Sequence, residues 1–244
     1  MPAGSWLKEW GGESIHAHRD LPSGAWIFIA VHSSRLGPAT GGTRMRPYPD
    51  PETALADALR LAEAMTYKYA VADFPRGGGK AVIDLPAGFD PKGRSALLRR
   101  YGSLLARLGG LFATGPDVGT TPEDMDRIAE TGAPHVFCRT SGRGGAGGSG
   151  PATALGVFAA LQATAQVLFG DGSLSGRHVL VQGAGSVGGP LIERLVGSGA
   201  RVSFSDIDPA ARGRFRGREG VEAVDPESVY DVACDLFAPA PPAA

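Results

Sequence analysis

Alternating strand and helix signals along 244 residues predict an α/β protein in two parts. Three observations carry this. Short apolar runs alternate with segments of helical spacing in both halves. A glycine-dense stretch separates the halves: Ser141 to Gly150 holds six glycines and no large apolar residue, the composition of a loop or hinge. The second half contains Gly183-Ala184-Gly185-Ser186-Val187-Gly188 between an apolar strand and a helix. The expected organisation is a first domain over residues 1–140, a glycine-rich hinge over 141–152, and a Rossmann-type dinucleotide-binding domain over 153–244, with largely parallel pairing.

The elements follow in order. Ala25 to Val31 is a continuous apolar run rich in aromatic and β-branched residues, which reads as a buried strand. Ala54, Leu55, Ala58, Leu59, Ala62 and Met65 have helical spacing, with Asp50 as N-cap and Pro51 at the first helical position. Ala81 to Leu85 reads as a strand. Ser95 to Leu108 reads as a helix ended by Gly109-Gly110. Leu111 to Ala113 is a short strand, and Thr121-Pro122-Glu123-Asp124 opens a helix with a capping-type start. A helix is expected from Thr153 to about Leu168. Then come strand His178 to Gln182, the glycine turn, helix Gly188 to Val196 and strand Arg201 to Ser205. Arg212, Arg214, Arg216 and Arg218 suggest a solvated basic helix. Val221 to Val224 and Val232 to Phe237 are the last strand candidates.

Composition excludes several classes. The chain is 43% hydrophobic and 20% charged with a formal charge of −1, so no basic field attracts nucleic acid or an anionic membrane. Cys138 and Cys234 are far apart and in no C-x-x-C pair, as expected of reduced thiols in a cytoplasmic protein. The N-terminus lacks a basic n-region followed by an apolar h-region, and Ala25 to Val31 is too short to cross a bilayer. No metal site is expected.

The glycine turn has the right context for a nucleotide. Gly183 permits the tight turn, Gly185 lets backbone approach a pyrophosphate, and Gly188 allows close helix–strand packing. Ser186 and Val187 lead into the helix, whose free N–H groups would meet the phosphates. Asp206 ends the next strand, where a carboxylate accepts bonds from a ribose 2′-OH and repels a 2′-phosphate. That favours NAD over NADP, although the nearby arginines pull the other way.

Two lysines and an aspartate carry the remaining chemistry. Lys80 follows Gly77-Gly78-Gly79. At the mouth of a strand, partly desolvated and near another cation, it would have a lowered pKa and act as a general base. Lys68, after the helical run in Met65-Thr66-Tyr67-Lys68, could stay protonated and hold a carboxylate. Asp117, in a turn after a strand, could carry protons to and from a substrate nitrogen. These residues describe an NAD-linked enzyme of a small anionic substrate.

At these positions the sequence resembles the Glu/Leu/Phe/Val amino-acid dehydrogenases, on the leucine/phenylalanine branch. The matching stretches are Gly37 to Met45, Met65 to Lys68, Gly77 to Ile83, Pro116 to Thr121, Pro151 to Thr153, Gly183 to Gly188 and Cys234 to Pro239. The resemblance implies a substrate-binding and oligomerisation domain followed by the nucleotide domain. It also implies NAD-dependent reversible oxidative deamination of a hydrophobic L-amino acid to its 2-oxo acid and ammonium. Lys68, Met65, Gly41, Gly42 and Gly115 would bind the substrate. Lys80 would activate water and Asp117 would exchange protons with the amino group. Thr153, Gly183, Gly185, Ser186, Val187, Gly188 and Asp206 would hold NAD. Closure about the hinge would exclude water, and a homo-oligomer would form through the first domain.

Departures from the family pattern set further expectations. Thr40 stands where leucine-type relatives have an apolar residue. Gly115 replaces an alanine, so a missing methyl would leave room for an aromatic substrate. Relatives continue past the Phe-Ala-Pro stretch, whereas this sequence ends at Pro242-Ala243-Ala244, implying a shortened nucleotide domain of about four strands with one bare edge. An active short enzyme completed by a partner, a catalytically weak or inactive homologue, and an NAD- or amino-acid-binding assembly protein all fit that expectation.

Overall fold

The computed structural model describes residues 9–240, so the chain end at Pro242-Ala243-Ala244 lies outside the described residues. The chain divides into two compact units, Met1–Gly148 and Ser149–Ala244.

The first unit is built on a five-stranded sheet of order β1-β2-β4-β3-β5. Its strands are β1 (Ser14–Asp20), β2 (Ala25–Ser33), β3 (Ala39–Arg46), β4 (Gly77–Asp84) and β5 (Phe112–Pro116). The largely parallel pairing expected from sequence holds for only half of this sheet. β1 and β2 form an antiparallel hairpin and β2 pairs antiparallel with β4, whereas β3 is parallel to both β4 and β5. A short loop forces the first strands antiparallel, while intervening helices carry the chain back for parallel pairing. β1 and β3 escape the sequence pattern for a physical reason. Ser-Ile-His-Ala-His-Arg-Asp is mostly polar and Ala-Thr-Gly-Gly-Thr-Arg-Met-Arg is glycine-rich and charged, so neither shows an apolar run.

Helix α1 (Pro51–Val71) covers one face of this sheet. Asp50 caps it by accepting from Thr53 N at 2.6 Å, with Pro51 in its first turn. Ala54, Ala58 and Ala62 are fully buried beneath it with Phe28, Ala30 and Val82. The opposite face carries α2 (Arg94–Arg107) and α3 (Pro122–Gly132), the latter opened by a Thr121–Asp124 capping box. Ile27, Ile29, Ile83, Leu97, Leu105 and Ile128 form that layer. Each such buried side chain contributes about 2 kcal/mol.

The second unit has a fully parallel four-stranded sheet of order β8-β7-β6-β9. The strands are β6 (His178–Gln182), β7 (Arg201–Ser205), β8 (Val221–Ala223) and β9 (Leu236–Pro239). The corresponding order 3-2-1-4 is that of the first four strands of the doubly wound dinucleotide fold. Helices α4 (Gly150–Phe169), α5 (Gly188–Gly197) and α6 (Pro209–Gly213) accompany it. α4 has no charged residue and is apolar enough in length and composition to span a membrane; here Ala154, Leu161 and Ala165 join the unit's core. Two expectations are corrected. β9 starts at Leu236 rather than Val232, because Asp235 closes the ladder through both its N–H and its side chain to His178. The basic helix is only Pro209–Gly213, since Gly213 and Gly217 interrupt the arginine run.

Candidate active site

The site in the first unit grows from strand alternation. Residues two apart on a strand share a face. Gly78, Lys80 and Val82 on β4 face α1, as do Gly42 and Arg44 on β3. Lys80 is therefore in the middle of its strand, not at its mouth, and is 4% exposed. Its Nζ lies 3.0 Å from Asp117 Oδ2. Asp117 follows β5 in a loop fixed by two bonds: its N–H donates to Thr120 Oγ1 at 2.9 Å, and that hydroxyl donates to Thr43 O at 2.7 Å. Gly42 makes room for the pair. A Cβ there would sit 2.8 Å from Asp117 Cβ and 3.3 Å from Lys80 Nζ. Gly41 faces the other way, where a Cβ would collide with the Gly79 carbonyl.

Sequence reasoning missed the cations and anions behind this pair. Arg44, 2% exposed, donates from Nε to Asp117 Oδ2 at 2.8 Å and from Nη1 to Asp57 Oδ2 at 2.9 Å. Tyr48 Oη and Arg60 Nη2 also donate to Asp57, each at 2.7 Å. The only signal was Arg44's place in the glycine-rich stretch; Asp57 reads as one more polar position of a helix.

The electrostatics of the pair are asymmetric. Burial brings the Lys80 ammonium below its ordinary range, and Asp117 offsets this only in part. Burial acts the opposite way on Asp117, raising its affinity for a proton, but Lys80 and Arg44 together more than reverse it. An ordinary ion pair raises its lysine. Here desolvation wins at Lys80 while two cations win at Asp117. A buried lysine of lowered proton affinity beside an ionised carboxylate can take up a proton and pass it on.

Met65 and Lys68 lie within the last turns of α1, because the helix continues through Val71; Lys68 does not follow the helix as expected. Lys68 is exposed and takes part in no ion pair among the described residues. α1 is brought down onto the sheet at Gly78, where a Cβ would lie 2.2 Å from Thr66 N. The room expected at Gly115 is filled. A Cβ there would meet Phe137 Cε2 at 2.4 Å, so the missing methyl accommodates an aromatic ring of the chain itself. Beyond Phe137 is a cavity of about 620 Å³ whose lining includes Thr40, Tyr69, Phe74, Ala113 and Phe137. It lies beside the Lys80–Asp117 pair rather than at it. Thr40 is one pleat repeat from Gly42, roughly 7 Å along β3.

In the second unit the glycine turn joins β6 to α5. Gly183 has φ +93°, which favours glycine, and a Cβ on Gly188 would lie 1.7 Å from Gly183 O. Gly185 and Ser186 are exposed, and nothing lies within 4 Å of a Cβ built on Gly185, so backbone there is open to a diphosphate. Val187 precedes α5. The start of α4 abuts the turn: a Cβ on Gly150 would lie 2.2 Å from Ser186 O, which brings exposed Thr153 to the same end of the unit. Asp206 reaches back, accepting from Ala184 N at 2.7 Å. Turn, helix start and carboxylate fit a dinucleotide.

These features define an α/β protein that combines a buried lysine–aspartate pair with a Rossmann-like second unit. Residues 24–133 match the Glu/Leu/Phe/Val dehydrogenase dimerisation domain. The chain is 41% identical over 235 residues to leucine dehydrogenase of Geobacillus stearothermophilus, covering 96% of this chain and 63% of that protein. It is 41% identical over 238 residues to phenylalanine dehydrogenase of Lysinibacillus sphaericus, covering 93% and 60%. The crystal structure of L-tryptophan dehydrogenase from Nostoc punctiforme superposes with a TM-score of 0.70 at 36% identity, over 96% of this chain and 65% of that one. The first unit thus carries the match to the Glu/Leu/Phe/Val dehydrogenase dimerisation domain, and the chain is similar to these amino-acid dehydrogenases along almost all of its own length while spanning a little under two thirds of theirs.

Proposed function

We propose that this chain carries the chemistry of an NAD-dependent amino-acid dehydrogenase, reversibly deaminating a hydrophobic L-amino acid to its 2-oxo acid and ammonium. The observation that carries the reading is the buried Lys80–Asp117 contact at 3.0 Å inside the matched domain. Lys68 binds the substrate carboxylate, with Met65 and the backbone of Gly41 and Gly42 nearby. Lys80 takes a proton from water as that water attacks the imino carbon, and Asp117 exchanges a proton with the substrate nitrogen. Gly183, Gly185, Ser186, Val187 and Gly188 cradle the diphosphate, Thr153 meets the carboxamide, and Asp206 holds the ribose. When bound, NAD supplies the acceptor for the hydride leaving the substrate Cα. The apolar cavity around Thr40 and Phe137 favours a hydrophobic side chain. The dimerisation-domain match supports a homo-oligomer.

The test is nicotinamide reduction by the purified chain with L-phenylalanine, L-leucine, L-valine and L-glutamate, beside Lys80→Ala. The expected result is turnover with an apolar substrate that Lys80→Ala lowers at least about a hundredfold, within the contribution of a positioned general base. Undiminished turnover in a folded Lys80→Ala chain would overturn the mechanism. NAD binding without any turnover would make the chain a nucleotide-binding protein instead.

A further inference from the structure

Asp117 Oδ2 is shared by two cations, Lys80 at 3.0 Å and Arg44 at 2.8 Å. Oδ1 has no hydrogen-bond partner among the described residues, and the side chain is 24% exposed. The pair therefore fixes one oxygen and leaves the other open. Arg44 is in turn divided between two carboxylates, since its Nη1 binds Asp57 Oδ2 at 2.9 Å. Asp57 is itself held by Tyr48 Oη and Arg60 Nη2. Lys80, Asp117, Arg44 and Asp57 alternate in sign along a row nearly closed to solvent.

We propose that Arg44, anchored by Asp57, is a positioning residue for Asp117: it pins Oδ2 so that Oδ1 alone exchanges a proton with the substrate nitrogen, and Asp57 sets how much positive charge Asp117 and Lys80 feel. The exchange is a plain proton transfer. An N–H bond breaks, an O–H bond forms at Oδ1, and nitrogen keeps the electron pair. Undivided, the guanidinium would hold Asp117 too firmly ionised to accept that proton and would repel the proton on Lys80. With Asp57 drawing off part of its charge, Asp117 is held ionised less firmly, and the proton on Lys80 is repelled less, than by an undivided guanidinium. The charged groups facing the Lys80–Asp117 pair are Arg44 on β3 and, behind it, Asp57 on α1, which Arg60 on α1 and Tyr48 before α1 bind in turn. The open Oδ1 also explains why Arg44 binds through Nε, side-on. That leaves Nη1 for Asp57 and no guanidinium nitrogen bound to Oδ1.

The inference uses the proposed dehydrogenase reading only for the identity of the proton donor, and its test needs no turnover. Site-resolved NMR titration of the Asp117 carboxyl and the Lys80 ammonium would be run on the full chain and on Asp57→Asn, Arg44→Gln and Tyr48→Phe. Removing the Asp57 charge should move both midpoints down, and removing the Arg44 charge should move both up, each by about one pH unit for a single charge at this range. Tyr48→Phe, which keeps every charge, should move them far less; it and the near-isosteric Asp57→Asn cover the case in which Arg44→Gln fails to fold. A purely structural Arg44 would give unmoved midpoints in folded Asp57→Asn, or the same direction in Asp57→Asn and Arg44→Gln, and either result overturns the proposal. An inactive chain with opposite shifts keeps the inference and defeats the function; an active chain with fixed midpoints does the reverse.

Discussion

At the residue scale, single methyl groups decide what this site holds. Gly42 and Gly115 are neighbours across β3 and β5. A Cβ on Gly42 would press on Asp117 and Lys80, whereas one on Gly115 would press on Phe137. The sequence marks both glycines but not their reasons. Lys80 and Asp117 were legible from their glycine settings and the family pattern. Phe137 was not, because it is an unremarkable aromatic in a loop and its meaning depends on the bridge between Thr114 and Val136 that lays it against β5. Gly115→Ala is expected to cost about 1–3 kcal/mol by overpacking the ring, and the ring should turn into the neighbouring cavity. The check is a double-mutant cycle with Phe137→Ala by denaturant unfolding. Little of the cost should survive once the ring is gone. Equal costs in both backgrounds would mean that Gly115 does not exist to accommodate Phe137.

At the element scale, the decisive contact is the approach of α1 to β4. Its apolar periodicity made most of the helix readable, and its N-cap was correct. Its last turns were not readable, because Thr66 to Val71 breaks the apolar pattern while the helix is held by docking. Thr66 sits directly on Gly78, and its hydroxyl lies 2.9 Å from His32 Nδ1. This contact carries Met65 and Lys68 on the same rigid rod as Asp57. The atoms opposing a side chain at Gly78 are the Thr66 hydroxyl and, almost as close, the helix backbone at Thr66, which has no flexible end to give way. Gly78→Ala should therefore exceed the ordinary overpacking cost and destabilise the first unit by about 3 kcal/mol or more. It should also lower any substrate affinity that depends on Lys68. A urea midpoint within experimental error of the parent would show that α1 is not pinned there. β1 and β3 fall outside this kind of reading altogether, since strands of polar and glycine residues are strands only because the sheet pairs them.

At the scale of the whole chain, buried charge is distributed unevenly. The pairs Arg100–Asp20, Arg44–Asp57, Arg44–Asp117 and Lys80–Asp117 all belong to the first unit. Among the described residues the second unit has the Arg218–Glu193 pair, which is at the surface. At Asp20, Asp57 and Asp117, burial pushes the carboxyl up and the facing donors outweigh it, leaving each below the usual range. A carboxyl lowered in the folded state adds stability above its unfolded value of about 3.9, and that stability is lost as pH falls through the folded value. Asp84 works the other way, since burial raises it and acid favours its folded form, but it stands alone against three. The first unit should therefore give way first as pH falls below about 4. The sequence makes this measurable, because all three tryptophans precede the second unit along the chain, and Trp10 and Trp26 belong to the first. Acid titration followed by tryptophan fluorescence should show that unit opening while amide protons of β6 and β7 remain protected from exchange. If both signals are lost at one pH, the two units unfold together, and the buried pairs of the first do not govern acid stability by themselves.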